Sequence, residues 1–262
     1  MQPLLGPGDP PPFRVHNERG EAPLLLLCDH ASKAVPKALD GLGLRAKELS
    51  RHIGWDIGGF DAALELSSQL DAPLVASGYS RLVIDCNRWP GGEGSIPEIS
   101  DGTEVPANMG LSQVQIDARA HACFWPYHQE VDRRLDRMTQ GGRQVCLLVV
   151  HSFTPQMKGF KRPWHVGVLW NDDPRLPKPL LAELRRDGAL VVGDNEPYSA
   201  RASYEYTLTA HARPRALPHC SLEVRQDLIE TPDEARTWAR KLAPAIRAAV
   251  AAALAAAYIP AN

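Results

Sequence analysis

Residues 24–30 read Leu-Leu-Leu-Leu-Cys-Asp-His, and residues 145–153 read Val-Cys-Leu-Leu-Val-Val-His-Ser-Phe. Short apolar runs of this kind are typical of strands buried on both faces of a sheet. Ligands of α/β proteins bind at the carboxyl ends of such strands. We therefore expect His30 and His151 at one edge of a buried sheet, where two imidazoles could hold one metal ion. The alternative is that each histidine only caps its strand with a hydrogen bond.

Segments with strand and helix character alternate along the rest of the chain. Helices are predicted over 34–48, 57–70, 112–138, 176–186 and 232–257. Further strands are predicted over 72–76, 82–86, 165–170, 189–193 and 219–224. Residues 89–111 are rich in Gly, Pro, Ser and Asn, and a connection of this length is typical of a binding loop or lid. The alternation predicts an α/β fold with a mainly parallel sheet covered on both faces.

Length and charge limit the domain organisation and the binding partners. The chain has 262 residues, with no internal repeat and no change of composition near its middle. We therefore expect a single domain over residues 21–262, preceded by a loose leader over residues 1–20. The formal net charge of −2 argues against a general nucleic-acid-binding protein, which usually carries a basic excess.

The cysteines and the chain ends bear on the cellular compartment. The chain has five cysteines in no metal-type spacing, and Cys28, Cys86 and Cys146 lie in apolar runs. This usage favours reduced thiols in a cytoplasmic protein. Residues 1–20 lack the basic start and apolar stretch of a secretory signal. Residues 245–257 are apolar but shorter than a membrane span, so we expect a terminal helix packed on the core.

Asp56 precedes a predicted helix that begins near Gly58-Gly59. An aspartate in that position is commonly an N-cap. It could equally face the sheet edge that carries His30, and two histidines with one carboxylate are the ligands of many hydrolytic zinc sites. Asp29 is a poorer candidate ligand, because neighbouring side chains on a strand face opposite ways.

A second polar segment, Tyr-Ser-Arg-Leu-Val-Ile-Asp-Cys-Asn-Arg, ends at Arg88. A guanidinium can bind both oxygens of a carboxylate, so Arg88 with Asn87 is a candidate grip for a carboxylated substrate. Ser80 is a further candidate for substrate binding, and Arg81 for catalysis. The alternatives are that Arg81 pairs with Asp85 and that Arg88 forms a surface ion pair.

Glu223 lies within the apolar strand predicted over 219–224. A carboxylate in such a strand is costly unless it is paired or functional. One interpretation is that Arg225, two residues further on the same face, neutralises it. The other interpretation makes Glu223 the general base that activates a metal-bound water.

The remaining polar residues carry weaker signals. Asn195 lies in a turn-forming segment after a strand and is a candidate for lining a substrate pocket. His211 is a further candidate for substrate binding, although such histidines are more often at the surface or hydrogen-bonded in the core. His128 lies on the long predicted helix and is interpreted as structural. The sequence has no Gly-rich phosphate loop and no Gly-x-Ser-x-Gly motif, so nucleotide binding and serine hydrolase chemistry are unsupported.

Six motifs are spread in order along the chain. They are Cys-Asp-His-Ala-Ser (28–32), Gly-Trp-Asp-Ile-Gly (54–58), Tyr-Ser-Arg-Leu-Val-Ile-Asp-Cys-Asn-Arg (79–88), Val-His-Ser-Phe (150–153), Gly-Asp-Asn-Glu-Pro-Tyr-Ser (193–199) and Leu-Glu-Val-Arg-Gln-Asp-Leu-Ile (222–229). Together they resemble the N-formylglutamate amidohydrolase family, which is similar in fold to zinc carboxypeptidases. The resemblance implies a three-layer α/β/α sandwich of the phosphorylase/hydrolase-like kind, with a mixed, mainly parallel sheet.

The resemblance also implies roles for individual residues. His30 and His151 would correspond to the two zinc-binding histidines. Asn87 and Arg88 would correspond to an Asn-Arg pair that holds a substrate carboxylate. Glu223 would correspond to the general base.

The third metal ligand departs from the carboxypeptidase pattern. Zinc carboxypeptidases use a glutamate three residues after the first histidine, and Lys33 occupies that position here. The third ligand must come from elsewhere, and Asp56 is the residue we predict. The chain also differs from enzymes that deformylate N-formylglutamate around Trp55-Asp56, which leaves the acyl group open.

These expectations combine into one predicted function. We expect an amidohydrolase with one Zn²⁺ per chain that cleaves an N-acyl, N-formyl-like amino acid through a zinc-activated water. Arg81 would assist the zinc ion in stabilising the oxyanion. The expected partner is a small-molecule substrate, with neither nucleic acid nor membrane involved. The alternative is a non-catalytic binding protein or sensor for a small carboxylated ligand on the same scaffold.

Overall fold

The computed structural model describes residues 3–186, 188–199 and 205–257. Its central sheet has seven strands: β1 (Phe13–His16), β2 (Leu24–Cys28), β3 (Leu74–Ser77), β4 (Cys146–Phe153), β5 (Val166–Leu169), β6 (Val192–Asp194) and β7 (His219–Arg225). Their order across the sheet is β1-β3-β2-β4-β7-β5-β6. Neighbours are parallel except in the pairs β1–β3 and β7–β5, so the sheet is mixed and mainly parallel, as predicted.

Helical segments connect these strands. The described α-helices are α1 (Ala46–Leu49), α2 (Gly59–Leu70), α3 (Gln113–Arg119), α4 (Trp125–Met138), α5 (Pro177–Arg186) and α6 (Pro232–Ala257). Short 3₁₀ turns lie at Lys37–Gly43, Pro106–Asn108, Gln140–Gly142, Arg213–Arg215 and Gln226–Leu228. Two π-helical turns lie at Ala120–Phe124 and Leu208–Ala212. Two small ribbons pair Ile99–Ser100 with Thr103–Glu104 and Gln156–Met157 with Phe160–Lys161.

The strands bury both of their faces because side chains alternate along them. On β2, Leu24, Leu26 and Cys28 belong to one apolar core, which α2, α5 and α6 cover. Leu25 and Leu27 point to the other face, where α4 packs. The molecule is therefore a three-layer α/β/α sandwich, which confirms the predicted fold class.

The strand predicted over 82–86 is wrong. These residues form turns, in which the Val83 N–H donates to the Ser80 carbonyl and the Asp85 N–H donates to the Ser95 carbonyl. The apolar run has another cause: Leu82, Val83 and Ile84 are buried in a third core beneath the loop 89–111. A short apolar run buried under a loop cannot be distinguished by composition from one buried in a sheet.

The leader predicted over residues 1–20 is also wrong over its described part. β1 pairs antiparallel with β3 at the edge of the sheet. Ahead of β1, the Pro12 carbonyl accepts a hydrogen bond from the Gly78 N–H. A Cβ at Gly78 would lie 2.0 Å from the Pro11 carbonyl oxygen, so this approach requires glycine. Prolines lack a backbone N–H but keep the carbonyl acceptor, and this acceptor anchors the segment.

Two predicted helices differ in detail. Instead of one helix over 34–48, the chain forms a 3₁₀ turn and the short helix α1, because positive φ angles at Asp40 and Leu42 interrupt the helix. The helix predicted over 112–138 is present but contains the π-helical turn that ends just before Pro126.

Two further findings concern the cysteines and the length of the helices. All five cysteines are buried, and none of them forms a disulfide bond. Burial raises the pKa of Cys123 and of Cys146 to about 12, so neither has the character of a reactive thiolate. Among the described helices, none combines the length and the apolar composition that crossing a membrane requires.

Candidate active site

The parallel neighbours β2 and β4 bring the two predicted histidines together. His30 follows the end of β2, and His151 lies near the end of β4. Both side chains are buried, and their ring centroids are 4.9 Å apart. The two imidazoles therefore meet at one edge of the sheet.

Asp56 joins the two histidines. Its Oδ2 lies 2.8 Å from Nδ1 of His151 and 3.4 Å from Nδ1 of His30. Gly58, not Asp56, precedes α2, and no side chain caps that helix, so the N-cap interpretation is wrong. Gly58 has a φ of 71°, and a Cβ there would lie 1.9 Å from the Ile229 carbonyl oxygen. Glycine is therefore required in the turn that brings Asp56 to the histidines.

We call His30, Asp56 and His151 the convergent cluster, because one donor atom of each lies within 4.8 Å of the others. Two imidazole nitrogens and one carboxylate are the ligands of many hydrolytic zinc sites. Burial would lower the pKa of His151, but the hydrogen bond and charge of Asp56 raise it to about 10. Burial would raise the pKa of Asp56, but the two histidines lower it. The cluster thus stabilises positive charge, and its residues fit a divalent metal ion.

A second carboxylate lies beyond the ring of His30. Nε2 of His30 is 2.8 Å from Oδ1 of Asp85. Because a carboxylate accepts, this contact places a proton on Nε2 and leaves Nδ1 facing Asp56. Carboxylates in this position orient metal-binding histidines and raise their basicity.

Asp29 is not a member of the convergent cluster, as strand alternation predicts. It accepts hydrogen bonds of 2.6 Å from Oη of Tyr127 and 2.9 Å from Oγ1 of Thr207. Its Oδ2 lies 3.7 Å from Nε2 of His151, beyond the length of a hydrogen bond. We call Asp85 and Asp29 the outer carboxylates, because each lies on the side of a histidine ring that faces away from Asp56. His30 forms a hydrogen bond with its outer carboxylate, whereas His151 does not.

The parallel register of β4 and β7 places Glu223 directly beside His151. Glu223 is buried, and its Oε2 has no hydrogen-bond partner among the described residues. Burial raises the pKa of this carboxyl group to about 7. Arg225 binds Asp227 at 2.7 Å and does not neutralise Glu223. The carboxylate is therefore available to a ligand.

A cavity of about 410 Å³ opens over the convergent cluster, and Arg81, Asn87 and Arg88 line it together with Glu223. Arg81 donates two hydrogen bonds to one oxygen of Asp85, at 3.1 and 2.7 Å. Its Nη1 also lies 3.6 Å from Oδ1 of Asp56. Arg81 thus both forms an ion pair with Asp85 and lines the cavity.

Asn87 and Arg88 belong to a turn that hydrogen bonds hold in place. Oδ1 of Asn87 accepts the backbone N–H of Thr207 at 3.0 Å, and its own N–H donates to Asp85 at 2.8 Å. Nη1 of Arg88 donates to the Asn87 carbonyl at 2.8 Å. One turn therefore positions both the outer carboxylate of His30 and the predicted substrate grip.

Sequence reasoning missed several residues of the cavity wall. Glu205 forms a backbone bridge with Arg88, and burial raises the pKa of its carboxyl group. His52 and Asp101 lie 3.4 Å apart on another part of the wall. These residues come from loops, where no periodicity marks them. The signal that could have found His52 is its place just ahead of the Gly-Trp-Asp-Ile-Gly motif.

Three predicted substrate-binding residues, all within the described part of the chain, lie outside the cavity wall. Oγ of Ser80 donates to a backbone carbonyl at 2.7 Å. Oδ1 of Asn195 accepts the Trp170 N–H at 2.9 Å. His211 is buried against His128. The side chains of Ser80 and Asn195 are thus bonded to backbone groups of other segments, Gly54 and Trp170.

Lys33 occupies the position at which zinc carboxypeptidases carry a glutamate ligand. Its Nζ donates to Oγ of Ser50 at 3.1 Å and lies 5.3 Å from the ring centroid of Trp55. Asp56 supplies the carboxylate of the convergent cluster instead.

Three comparisons relate the chain to known proteins. The family model of N-formylglutamate amidohydrolase matches residues 22–230. The crystal structure of gene product Atu2144 from Agrobacterium tumefaciens is similar, with a TM-score of 0.90 and 33% identity over 97% of this chain and 99% of that chain. N-formylglutamate amidohydrolase from Ralstonia eutropha JMP134 is similar in fold, with a TM-score of 0.69 and 20% identity over 93% of this chain and 99% of that chain. Among curated proteins, no match is found.

Proposed function

The chain belongs to the N-formylglutamate amidohydrolase family, and from this premise we propose that it is a metal-dependent hydrolase that cleaves the amide of an N-acyl amino acid. One observation carries the proposal: the convergent cluster, the buried carboxylate of Glu223 and the Asn87–Arg88 turn share one cavity. Metal ligands, a general base and a carboxylate grip are the parts that such a reaction needs.

The proposed metal is Zn²⁺, one ion per chain, with His30, Asp56 and His151 as its ligands. Bound zinc polarises a carbonyl group and makes water more acidic. Asp85 would keep His30 in the tautomer that carries its proton on Nε2, because the carboxylate accepts that proton. Nδ1, on the side of Asp56, would then be free to bind the metal.

Glu223 is the proposed general base and acid. Its carboxylate accepts one proton from water while the water oxygen forms a bond to the amide carbon. The same proton then passes to the amide nitrogen as the C–N bond breaks. The products are the free acid and the free amine of the amino acid.

Two arginines would contribute binding and charge stabilisation. Arg81 places its guanidinium beside the cluster, where it would stabilise negative charge that develops on the carbonyl oxygen. Arg88 with Asn87 would bind the carboxylate of the amino acid, since a guanidinium can contact both of its oxygens.

The proposal extends to the domain and the compartment. The chain from β1 onward would act as one amidohydrolase domain on a small-molecule substrate in the cytoplasm, because β1 belongs to the central sheet. Five buried cysteines without a disulfide bond support a reducing compartment. The net charge of −2 gives no support for nucleic-acid binding.

Turnover of a panel of N-acyl amino acids by the zinc-loaded protein tests the proposal. The panel varies the acyl group from formyl to longer chains and includes carboxamide analogues that lack the free carboxylate. We expect hydrolysis of carboxylated members. Glu223→Gln should keep the metal and lower kcat by about 10²- to 10⁴-fold. Asp227→Asn, the same change at an exposed carboxylate just past β7, is the matched control and should keep the parent rate.

Two outcomes would contradict the proposal in different ways. Equal rates for Glu223→Gln and the parent would remove Glu223 as the base. No turnover of any compound, with carboxylated compounds still bound, would favour the non-catalytic sensor instead.

A further inference from the structure

A second group of two histidines and one aspartate lies beside the turn 85–88 of the cavity wall, which we call the cavity turn. His128 and Asp132 are one helical turn apart on α4, and His211 is on the π-helical turn Leu208–Ala212. We call these three residues the linear cluster. Both histidines are buried, whereas the Asp132 side chain is 46% exposed. The proposed reaction uses none of the three.

The linear cluster is a chain of three hydrogen bonds. Nε2 of His128 lies 2.9 Å from the carbonyl oxygen of Cys86. Nδ1 of His128 lies 2.8 Å from Nε2 of His211. Nδ1 of His211 lies 2.8 Å from Oδ1 of Asp132. The two rings lie edge to edge, with centroids 5.0 Å apart and an interplanar angle of 22°.

The two ends of this chain determine how many protons it holds. A carbonyl oxygen and an ionised carboxylate can only accept hydrogen bonds. Nε2 of His128 and Nδ1 of His211 must therefore both carry protons, and the bond between the rings needs a third. Two neutral imidazoles carry only one N–H each. Three hydrogen bonds thus require one positive charge on the pair, which Asp132 balances.

The surroundings agree with this count. Burial would raise the pKa of Asp132, but the hydrogen bond from His211 and the charge of Arg215, 3.0 Å away, lower it. Burial and the neighbouring charge of His211 lower the pKa of His128 well below its usual value. Since Nδ1 of His211 lies 2.8 Å from Oδ1 of Asp132, the positive charge of the pair lies next to its counter-charge. A further carboxylate, Asp136, binds Arg215 at 2.8 Å on the solvent side.

The inner end of the linear cluster holds the cavity turn from two sides. Cys86, whose carbonyl accepts the His128 proton, lies between Asp85 and Asn87. Thr207, which directly precedes the π-helical turn, donates its N–H to the side chain of Asn87. A displacement of either histidine would therefore move this turn.

We propose that the linear cluster is a charged positioning device for the carboxylate-binding turn, residues 85–88. Its extra proton holds His128 in the tautomer that donates to Cys86, because a proton on Nδ1 alone would leave a lone pair facing the carbonyl. The importance of the turn for substrate rests on the proposed function, but the proton count does not.

Nitrogen NMR of the histidine side chains at neutral pH counts the protons directly. In the parent protein, three of the four ring nitrogens of His128 and His211 should show protonated shifts. In Asp132→Asn the amide can donate back to His211, so the count should fall to two. Two protonated nitrogens in the parent would overturn the proposal.

Asp136→Asn is the matched control, since it removes a carboxylate bound to Arg215 from the next turn of α4. We expect His128→Phe, which keeps a ring but removes the donor to Cys86, to raise KM for a carboxylated substrate about fivefold to tenfold, with kcat changed by less than about twofold. Asp132→Asn should leave KM near the parent value, because an amide that donates to His211 keeps the proton of His128 on Nε2. Asp136→Asn should leave both constants unchanged. The same KM in His128→Phe and in Asp136→Asn would refute the positioning role.

The side-chain nitrogen shifts of Asn87 and Arg88 provide a readout that needs no turnover. They should move in His128→Phe, which lacks the donor to Cys86, and stay in place in Asp136→Asn. A parent that hydrolyses nothing would count against the proposed function alone, because these shifts and the proton count would still decide on the linear cluster. Unmoved shifts in His128→Phe would overturn the positioning role.

Discussion

Two groups in this protein have the same composition, two histidines and one aspartate, and different arrangements. In the convergent cluster, both histidines direct Nδ1 at one oxygen of Asp56, at 3.4 and 2.8 Å. In the linear cluster, each side chain contacts only the next, and Asp132 lies at the end. In the convergent cluster, two nitrogens and one carboxylate oxygen surround a common point, at which a cation fits. In the linear cluster, every ring nitrogen forms a hydrogen bond with its neighbour, so none of them is directed at a common point. The order of contacts, and not the residue types, distinguishes the proposed metal site from the proposed positioning cluster.

The largest effect that this comparison predicts comes from removing the imidazoles of the convergent cluster. The parent should hold about one zinc ion per chain. The double variant His30→Ala/His151→Ala should lose it and lose about 10³-fold in kcat/KM, because several kcal/mol of charge stabilisation disappear. Elemental analysis of both proteins measures the metal.

Asp132→Asn serves as the control for that measurement, because it changes the linear cluster alone. It should keep the full zinc content. Loss of zinc from Asp132→Asn, or a parent that takes up no zinc when zinc is offered, would break the distinction between the two clusters.

The next effect sharpens the comparison within the convergent cluster. Asp85 contacts the outer nitrogen of His30 at 2.8 Å, whereas Asp29 is 3.7 Å from that of His151. Asp85→Asn should lower zinc affinity by about 10- to 100-fold, and Asp29→Asn should lower it less. Competition with a chelator measures both affinities. Equal losses would show that the outer contacts do not differ in function.

A smaller effect concerns the turn that the two clusters share. Arg88→Ala should raise KM for carboxylated substrates about tenfold, because a charged hydrogen-bond donor is lost. Steady-state kinetics with a carboxylated substrate and its carboxamide analogue measure this difference. The KM of the carboxamide analogue should be the same for the parent and the variant. A KM unchanged for both compounds would remove Arg88 from substrate binding.

The smallest effect provides a baseline outside both clusters. Thr231 and Glu234 cap α6 reciprocally, with contacts of 2.9 and 3.3 Å. Thr231→Ala should lower the free energy of unfolding by about 1 kcal/mol, measured by urea denaturation. Zinc content and the histidine proton count should not change. A change in either would mean that general stability, and not local contacts, controls the clusters.

The two clusters also differ in how far sequence could predict them. His30 and His151 end apolar runs, and runs of this kind end at a common sheet edge. Asp56 is a candidate from the sequence because it precedes a predicted helix near that edge. His128 and His211 are 83 residues apart on helical segments, with no strand end to mark them. The π-helical turn that carries His211 has no periodic signal, so its partner could not be inferred.

The fold was predictable where the pattern was long and regular. The central strands and α6 follow from apolar runs and from helical spacing. The run over 82–86 was misread because burial beneath a loop requires the same apolar residues as burial in a sheet. β1 was missed because a proline-rich composition hides the carbonyl groups that anchor it.

The pairing of β4 with β7 has a consequence for how this chain can change over evolutionary time. Glu223 faces the site because it is the register partner of His151 and because side chains alternate along a strand. One residue inserted or deleted in β7 ahead of Glu223 would turn the carboxylate toward the opposite core, around Leu222. A point substitution leaves that placement intact. Length variation among descendants should therefore be confined to connections such as 89–111, while the strands diverge by substitution alone.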